Sequence, residues 1–224
     1  MSPSAATRVV PALLCWLAAA PLAGQAAPEV VDIAFVGARS FSGADLAAAI
    51  ASSETRCRMP LGLCLFGLAR EEAYLDAAAL QADVLRVRAF YYERGYRDTE
   101  VRTEVDTVRD DAVRVRFVIA EGRPVLVENV EINGAPPGIA ERALPVRQGQ
   151  PFDLLARETG RDTLLARLRN GGYARAQVLL GSRIPADSPY SATVTYDVIA
   201  GSPARIGAIT ILGTEESSPE LVHR

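Results

Sequence analysis

One histidine and three cysteines bound the reaction chemistry open to this chain of 224 residues. The histidine, His223, stands in the C-terminal tail, where no nucleophile, base and orienting group can be assembled around it. Cys15 belongs to an apolar N-terminal run and follows Leu14, where lipid attachment would want a small residue. Cys57 and Cys64 leave three readings: a disulfide, a metal pair, or two buried free thiols. A disulfide closing so short a loop would stabilise by about 2 to 3 kcal/mol through lost chain entropy. Ligand count argues against metal, because no histidine or carboxylate cluster accompanies the pair. Asp110-Asp111 reads as a turn, and Glu71-Glu72 as a helix start where acids favour the dipole. Gly171-Gly172 is no phosphate loop, since no strand feeds it and no helix follows. Tyr91, Tyr92, Tyr96 and Tyr173 read as corner packing, with half-buried rings and hydroxyls in water. The sequence therefore predicts no catalytic residue, no metal site and no cofactor.

The tyrosines mark where the elements change. Ala77, Leu80, Val84, Val87 and Tyr91 recur three or four apart, the spacing of one helix face. After Gly95 the period becomes two: Val101, Thr103, Val105 and Thr107 share one side, and Arg102, Glu104 and Asp106 the other. Gly95 suits a helix end in the left-handed conformation. The same corner returns at Asn170-Gly171-Gly172-Tyr173, after Leu164, Leu165 and Leu168 and before a second alternating run. Two copies of one supersecondary unit indicate a repeat.

In chain order, Val30–Gly37 reads as a strand into a turn glycine, Ser42–Ile50 as a helix capped by Ser42, and Glu71–Arg94 as a long helix. A hairpin turning near Asp110-Asp111 returns with Val113, Val115, Phe117 and Ile119 on one face. Glu121-Gly122-Arg123-Pro124 closes the unit. The pattern restarts with a strand over 126–134, a short helix over 139–144, a second helix over 152–170, and a hairpin of 174–180 with 192–199. Ile206–Gly213 opens it a third time. The turn glycines Gly37, Gly134 and Gly213 lie 97 and 79 residues apart, so the first unit holds about 20 extra residues, an insertion at about 51–70. The predicted division is 1–26, 29–123, 124–202, and 203–224 as the start of a truncated third unit. Each full unit is α+β, with strand order β-α-α-β-β, a three-stranded mixed sheet and two helices on one face.

Arg8 ahead of the apolar run 9–23, with small residues Gly24 and Ala26 at the two positions a signal peptidase reads, marks a secretory signal cleaved after Ala26. Fifteen residues broken by Pro11 and Pro21 fall short of the roughly 20 needed to span a bilayer. All 24 basic residues are arginine, against 27 acidic ones, a net charge of −3. That balance gives no electrostatic reason to expect nucleic acid.

The chain resembles the polypeptide-transport-associated (POTRA) domains of the BamA/TamA-like outer-membrane barrel-assembly and translocation family. The resemblance rests on the strand-to-glycine starts Phe35-Val36-Gly37, Ile132-Asn133-Gly134 and Ile211-Leu212-Gly213. It rests also on Gly149-Gln150-Pro151-Phe152, Tyr91-Tyr92-Glu93-Arg94-Gly95-Tyr96, Gly172-Tyr173 and the closing Val118-Ile119-Ala120-Glu121-Gly122. It implies a periplasmic arm at the outer membrane, handling unfolded outer-membrane or secreted polypeptides. Further implied partners are accessory assembly proteins and a C-terminal β-barrel of the same protein, if the gene continues. The insertion and the short first helix after Pro136-Pro137 depart from the pattern, and no barrel fits in the remaining length.

The physical reading points the same way. If the first strand of a unit pairs with the last, the hairpin's first strand is an open edge, and open edges take up extended peptides through main-chain hydrogen bonds. The candidate client-binding edges are Thr99–Val108, carrying Val101, Thr103, Val105 and Thr107, and Ala174–Leu180, carrying Ala174, Ala176 and Val178. The competing reading is that Arg102, Glu104, Asp106 and Arg175 blunt them. Alternative functions are a two-partner-secretion transporter arm or a barrel-less periplasmic scaffold.

Overall fold

The computed structural model describes residues 27–57, 70–140, 142–205 and 207. The expected leader, the heart of the insertion, His223 and the third strand start lie outside them.

The first sheet grows from β1 (Glu29–Val36), whose alternation sends Val30 into the core and ends at Gly37, φ +91°. Helix α1 (Gly43–Ala49) starts in a capping box: Ser42 Oγ accepts from Asp45 N (3.2 Å) and Asp45 Oδ2 from Ser42 N (3.1 Å). The ends of the insertion pair as a two-stranded ladder, β2 (Arg56–Cys57) with β3 (Arg70–Glu71).

Helix α2 runs Ala77–Glu93 and begins six residues later than Glu71-Glu72 suggested. Asp76 is the cap, accepting from Ala78 N (2.8 Å) and Ala79 N (3.2 Å), while Glu71 closes the ladder. Its inner face holds Leu80, Asp83, Val87 and Tyr91, with Val84 half-buried and Ala77 exposed. Strands β4 (Glu100–Arg109) and β5 (Ala112–Ala120) form the expected hairpin over Asp110-Asp111. The sheet order is β1-β5-β4, with β1 parallel to β5 (Phe35 opposite Phe117) and β4 antiparallel (Thr103 opposite Phe117). Val113, Val115, Phe117 and Ile119 join Leu46, Leu80, Val87 and Tyr91 in one buried cluster.

The second sheet repeats this: β6 (Leu126–Asn133), β7 (Gln177–Arg183) and β8 (Ser191–Ile199) in the order β6-β8-β7, with β6 parallel and β7 antiparallel to β8. Helix α3 (Leu154–Asn170), capped by Asp153, covers it through Leu164 and Leu168. The helix expected over 139–144 does not form; the described residues there are turns and bends. Pro136 and Pro137 lead into Gly138 at φ +80°, Pro145 follows, and so short a segment has no helical stability of its own. Leu144 and Val146 enter the core from this loop instead, and the Arg167 guanidinium holds the loop by donating to Arg142 O (3.0 Å) and Ala143 O (2.8 Å). The buried residues fall into two clusters, one drawn from 30–119 and one from 125–198.

Asp83, which no local sequence pattern marks, is a fully buried carboxylate on the inner face of α2. It accepts from Ala51 N (2.8 Å), Ser52 N (2.9 Å) and Arg86 (2.5 Å), so it clamps the chain where it enters the insertion. Burial alone would raise its pKa; the donors from Ala51, Ser52 and Arg86 outweigh it and lower the value. Asp83→Asn turns an amide N–H toward one of these donors and should cost about 2 kcal/mol. The check is hydrogen exchange at amides 51 and 52, whose protection should fall.

Candidate functional site

An edge strand offers unpaired N–H and C=O groups only where nothing in its own fold takes them. In the first sheet the outer edge of β1 is taken over its first half. Val30 N donates to Ala73 O (2.7 Å), Thr55 N to Val30 O (2.8 Å), and Leu75 N to Pro28 O (2.8 Å). Ile33 N reaches Glu54 Oε2 at 3.4 Å. The stretch leading into α2 thus lies along β1. In the second sheet the stretch leading into α3 does the same to β6: Val127 N donates to Gln150 O (2.8 Å) and Gly149 N to Val127 O (2.7 Å). The opposite edges are β4 and β7, each hydrogen-bonded on one side to the central strand.

Along β4 the predicted row runs from core to solvent. Val101 packs against the buried cluster, Thr103 is half-buried, Val105 is 43% exposed, and Thr107 is exposed. The alternate row carries the charges expected to blunt the edge: Glu104 and Asp106 reach across the sheet to β5, while Arg102 stays exposed with Glu104 at 3.8 Å. Arg116 of β5 holds Asp106 (2.9 Å) and Glu104 (3.2 Å), and Arg114 of β5 holds Asp32 of β1 (2.7 Å). These pairs neutralise one another over the open face of the sheet.

The second edge is displaced from its expected position. Tyr173 N donates to Leu168 O (3.0 Å) and Ala176 N to Tyr173 O (3.0 Å), so two turns follow α3 before the strand begins at Gln177. Ala174 is exposed in the second of these turns and Ala176 is buried in the core; of the three predicted residues only Val178 lies in the edge strand. The edge extends instead through Leu179, Gly181 and Arg183, with Arg157 of α3 donating to Ser182 Oγ (2.6 Å).

The first unit is closed by a corner that sequence reasoning recognised only as tyrosine packing. Tyr91 is fully buried, and its hydroxyl is not in water: it donates to Glu121 Oε1 (2.9 Å). Burial and then the Glu121 carboxylate push its pKa up. Glu121 also accepts from Arg39 N (2.7 Å), Ser40 N (2.8 Å) and Ser40 Oγ (2.9 Å). The Glu121 carboxylate therefore joins the end of β5, the turn after β1 and the inner face of α2. The Tyr91 ring meets Phe41 and Tyr96 edge-on at 5.0 and 5.8 Å, while Tyr92 is exposed and Tyr173 half-buried. The signal for the hub was Glu121-Gly122 itself, but its partners lie up to 82 residues away.

Among the described residues no group of His, Cys, Asp and Glu is placed to hold a metal ion. Cys57 ends β2 opposite Arg70, and Cys64 lies outside the described residues.

Residues 28–122 match the POTRA family model, described as a surface antigen variable number repeat. Solved structures that the chain matches include the third to fifth POTRA domains of BamA from Haemophilus influenzae. That likeness has 16% identity over 88% of this chain and 75% of that one, with a TM-score of 0.44. The first two POTRA domains of the periplasmic domain of Omp85 from Anabaena match at 18% identity over 79% and 98%, TM-score 0.34. CdiB from Escherichia coli matches at 17% over 82% of this chain and 30% of its own length, TM-score 0.35. No curated protein matches the chain. Identities this low say nothing about what the chain binds.

Proposed function

We propose, on the premise that residues 28–122 form a POTRA unit, that the chain is the periplasmic arm of an outer-membrane protein assembly or translocation factor. It binds unfolded outer-membrane or secreted polypeptides by strand addition and delivers them to a β-barrel that this chain does not contain. The units are 29–123 and 124–202, with a third beginning at 203 and a cleaved leader at 1–26. No residue has a catalytic role in this reading. The observation that carries it is the asymmetry of both sheets: the chain's own backbone takes the first half of the β1 edge and the start of β6, and leaves β4 and β7 as outer strands. Main-chain recognition depends little on client side chains, which suits a carrier of many sequences.

In an antiparallel pair, neighbouring residues alternate between spending their N–H on the partner strand and pointing it outward. Of Thr103 and Glu104, opposite Phe117 and Arg116, one therefore faces β5 and the other faces the edge. Proline at the outward position removes a docking donor and leaves the sheet intact; at the inward position it weakens the sheet. The expected result is that one of Thr103→Pro and Glu104→Pro folds normally and loses crosslinking to an extended unfolded outer-membrane polypeptide. Undiminished crosslinking in the folded variant would remove β4 as the binding strand.

A further inference from the structure

The two units meet where α2 hands over to β4, at residues 95–98. Val125 N, at the entry to the second unit, donates to Gly95 O (2.8 Å). Phe152, buried in the second core, lies hard against the same residue: a Cβ on Gly95 would stand 2.9 Å from Phe152 N and 3.1 Å from its carbonyl oxygen. Asp98 Oδ2 accepts from the Tyr190 hydroxyl (2.6 Å), and the Arg123 guanidinium stacks 4.8 Å from the Tyr190 ring centre. Tyr190 is itself fastened to the second unit, since Leu126 N donates to its carbonyl oxygen (2.9 Å).

Domains in series swing freely unless their contact fixes more than one axis. Here the contacts fall at separate places on the first unit: Gly95 takes the linker bond and the close approach of Phe152, Arg97 lies 5.9 Å from the Phe152 ring centre, and Asp98 takes the Tyr190 hydroxyl. A swing about Gly95 would pull the Tyr190 hydroxyl off Asp98. We infer that the two units form a fixed elbow, with Tyr190 as the latch that Asp98 and Arg123 hold closed. The seat recurs one unit later, where Ala204 N donates to Gly172 O (2.7 Å) at the matching glycine corner. Pro124 and Pro203 precede these donors directly, each ten residues ahead of Gly134 and Gly213. The glycine seat is a repeated part of the chain, and the rigidity of the elbow sets the β4 and β7 edges at a constant separation and direction.

The test is residual dipolar couplings on the chain from Ala27 onward, which holds every described residue. Amides of 77–120 and of 154–199 should fit one alignment tensor in the native chain. Tyr190→Ala and Asp98→Ala should each need two tensors, the sign of independent motion, with amide shifts in the interiors of both units unchanged. Asp98→Asn keeps an acceptor and should keep one tensor. If Tyr190→Ala disturbs the second core, Tyr190→Phe and Asp98→Ala decide, because Asp98 is exposed and belongs to the first unit. Two tensors in the native chain would overturn the elbow; one tensor in the folded Tyr190 and Asp98→Ala variants would overturn the latch. Neither result bears on client capture, so strand addition stands or falls separately.

Discussion

Gly37→Ala should destabilise the first unit by about 3 kcal/mol or more, the largest effect expected of a methyl added to any of the described glycines. Gly37 has φ +91°, a conformation that disfavours any side chain, and an added Cβ would overlap the carbonyl oxygen of Ile119. That oxygen belongs to the buried end of β5, so it cannot move aside without breaking the ladder to β1 and β4. The turn glycine of the second unit repeats the contact: a Cβ on Gly134 would lie 2.6 Å from Val198 O. Gly149→Ala is the control, with φ +80° and nothing within 4 Å of the added atom, and should cost only about 1 kcal/mol of backbone strain. Amide hydrogen exchange in denaturant checks this, since it reads each sheet separately. Protection of β1 and β5 should drop in Gly37→Ala while β6 and β8 hold theirs. Equal losses for Gly37→Ala and Gly149→Ala would mean that strain alone, and not the close approach to β5, sets the requirement for glycine.

Glu121→Ala should cost the same unit about 3 kcal/mol, because it orphans the buried Tyr91 hydroxyl together with the amides of Arg39 and Ser40. Glu121→Gln keeps acceptors for some donors and should cost less. The carboxylate also makes stability depend on pH. Burial tends to raise the pKa of Glu121, but the donors from Ser40, Arg39 and Tyr91 outweigh it and place the value below the ordinary 4.5. A carboxyl whose pKa is lowered on folding contributes fully above its unfolded value and loses that contribution as pH falls through the folded one. Buried Asp83 behaves alike. Acid unfolding of the first unit should therefore set in below about pH 4.5 and flatten in Glu121→Gln. An acid limb of unchanged slope in that variant would show that the hub carries no charge-dependent stability.

Much of this architecture was legible before any coordinates. The change of period at Gly95, the alternation of Val113, Val115, Phe117 and Ile119, and the capping pair Ser42 and Asp45 are local signals, and each element formed where they lie. The turn glycines were readable as repeats, though their necessity comes from the strand carbonyls they face. Local signals failed where a tertiary partner outbid them. Asp76 rather than Glu71 starts α2 because residues 70–75 are committed to β2 and β1. Ala176 leaves the β7 edge because the turns after α3 bury it. The expected helix over 139–144 gives way to a loop that delivers Leu144 and Val146 to the same core.

The sequence by itself determined the kind of unit, its repetition and the place of most long elements, because apolar period and glycine placement act within a few residues. Only the tertiary structure decided which edges stay bare, which carboxylates become hubs and how one unit seats on the next. Those outcomes rest on hydrogen bonds between residues 21 to 92 positions apart, such as Asp83 with Ala51, Glu121 with Arg39 and Tyr190 with Asp98. Contacts at that separation leave no periodic trace in either partner, so they emerge only once the chain has folded.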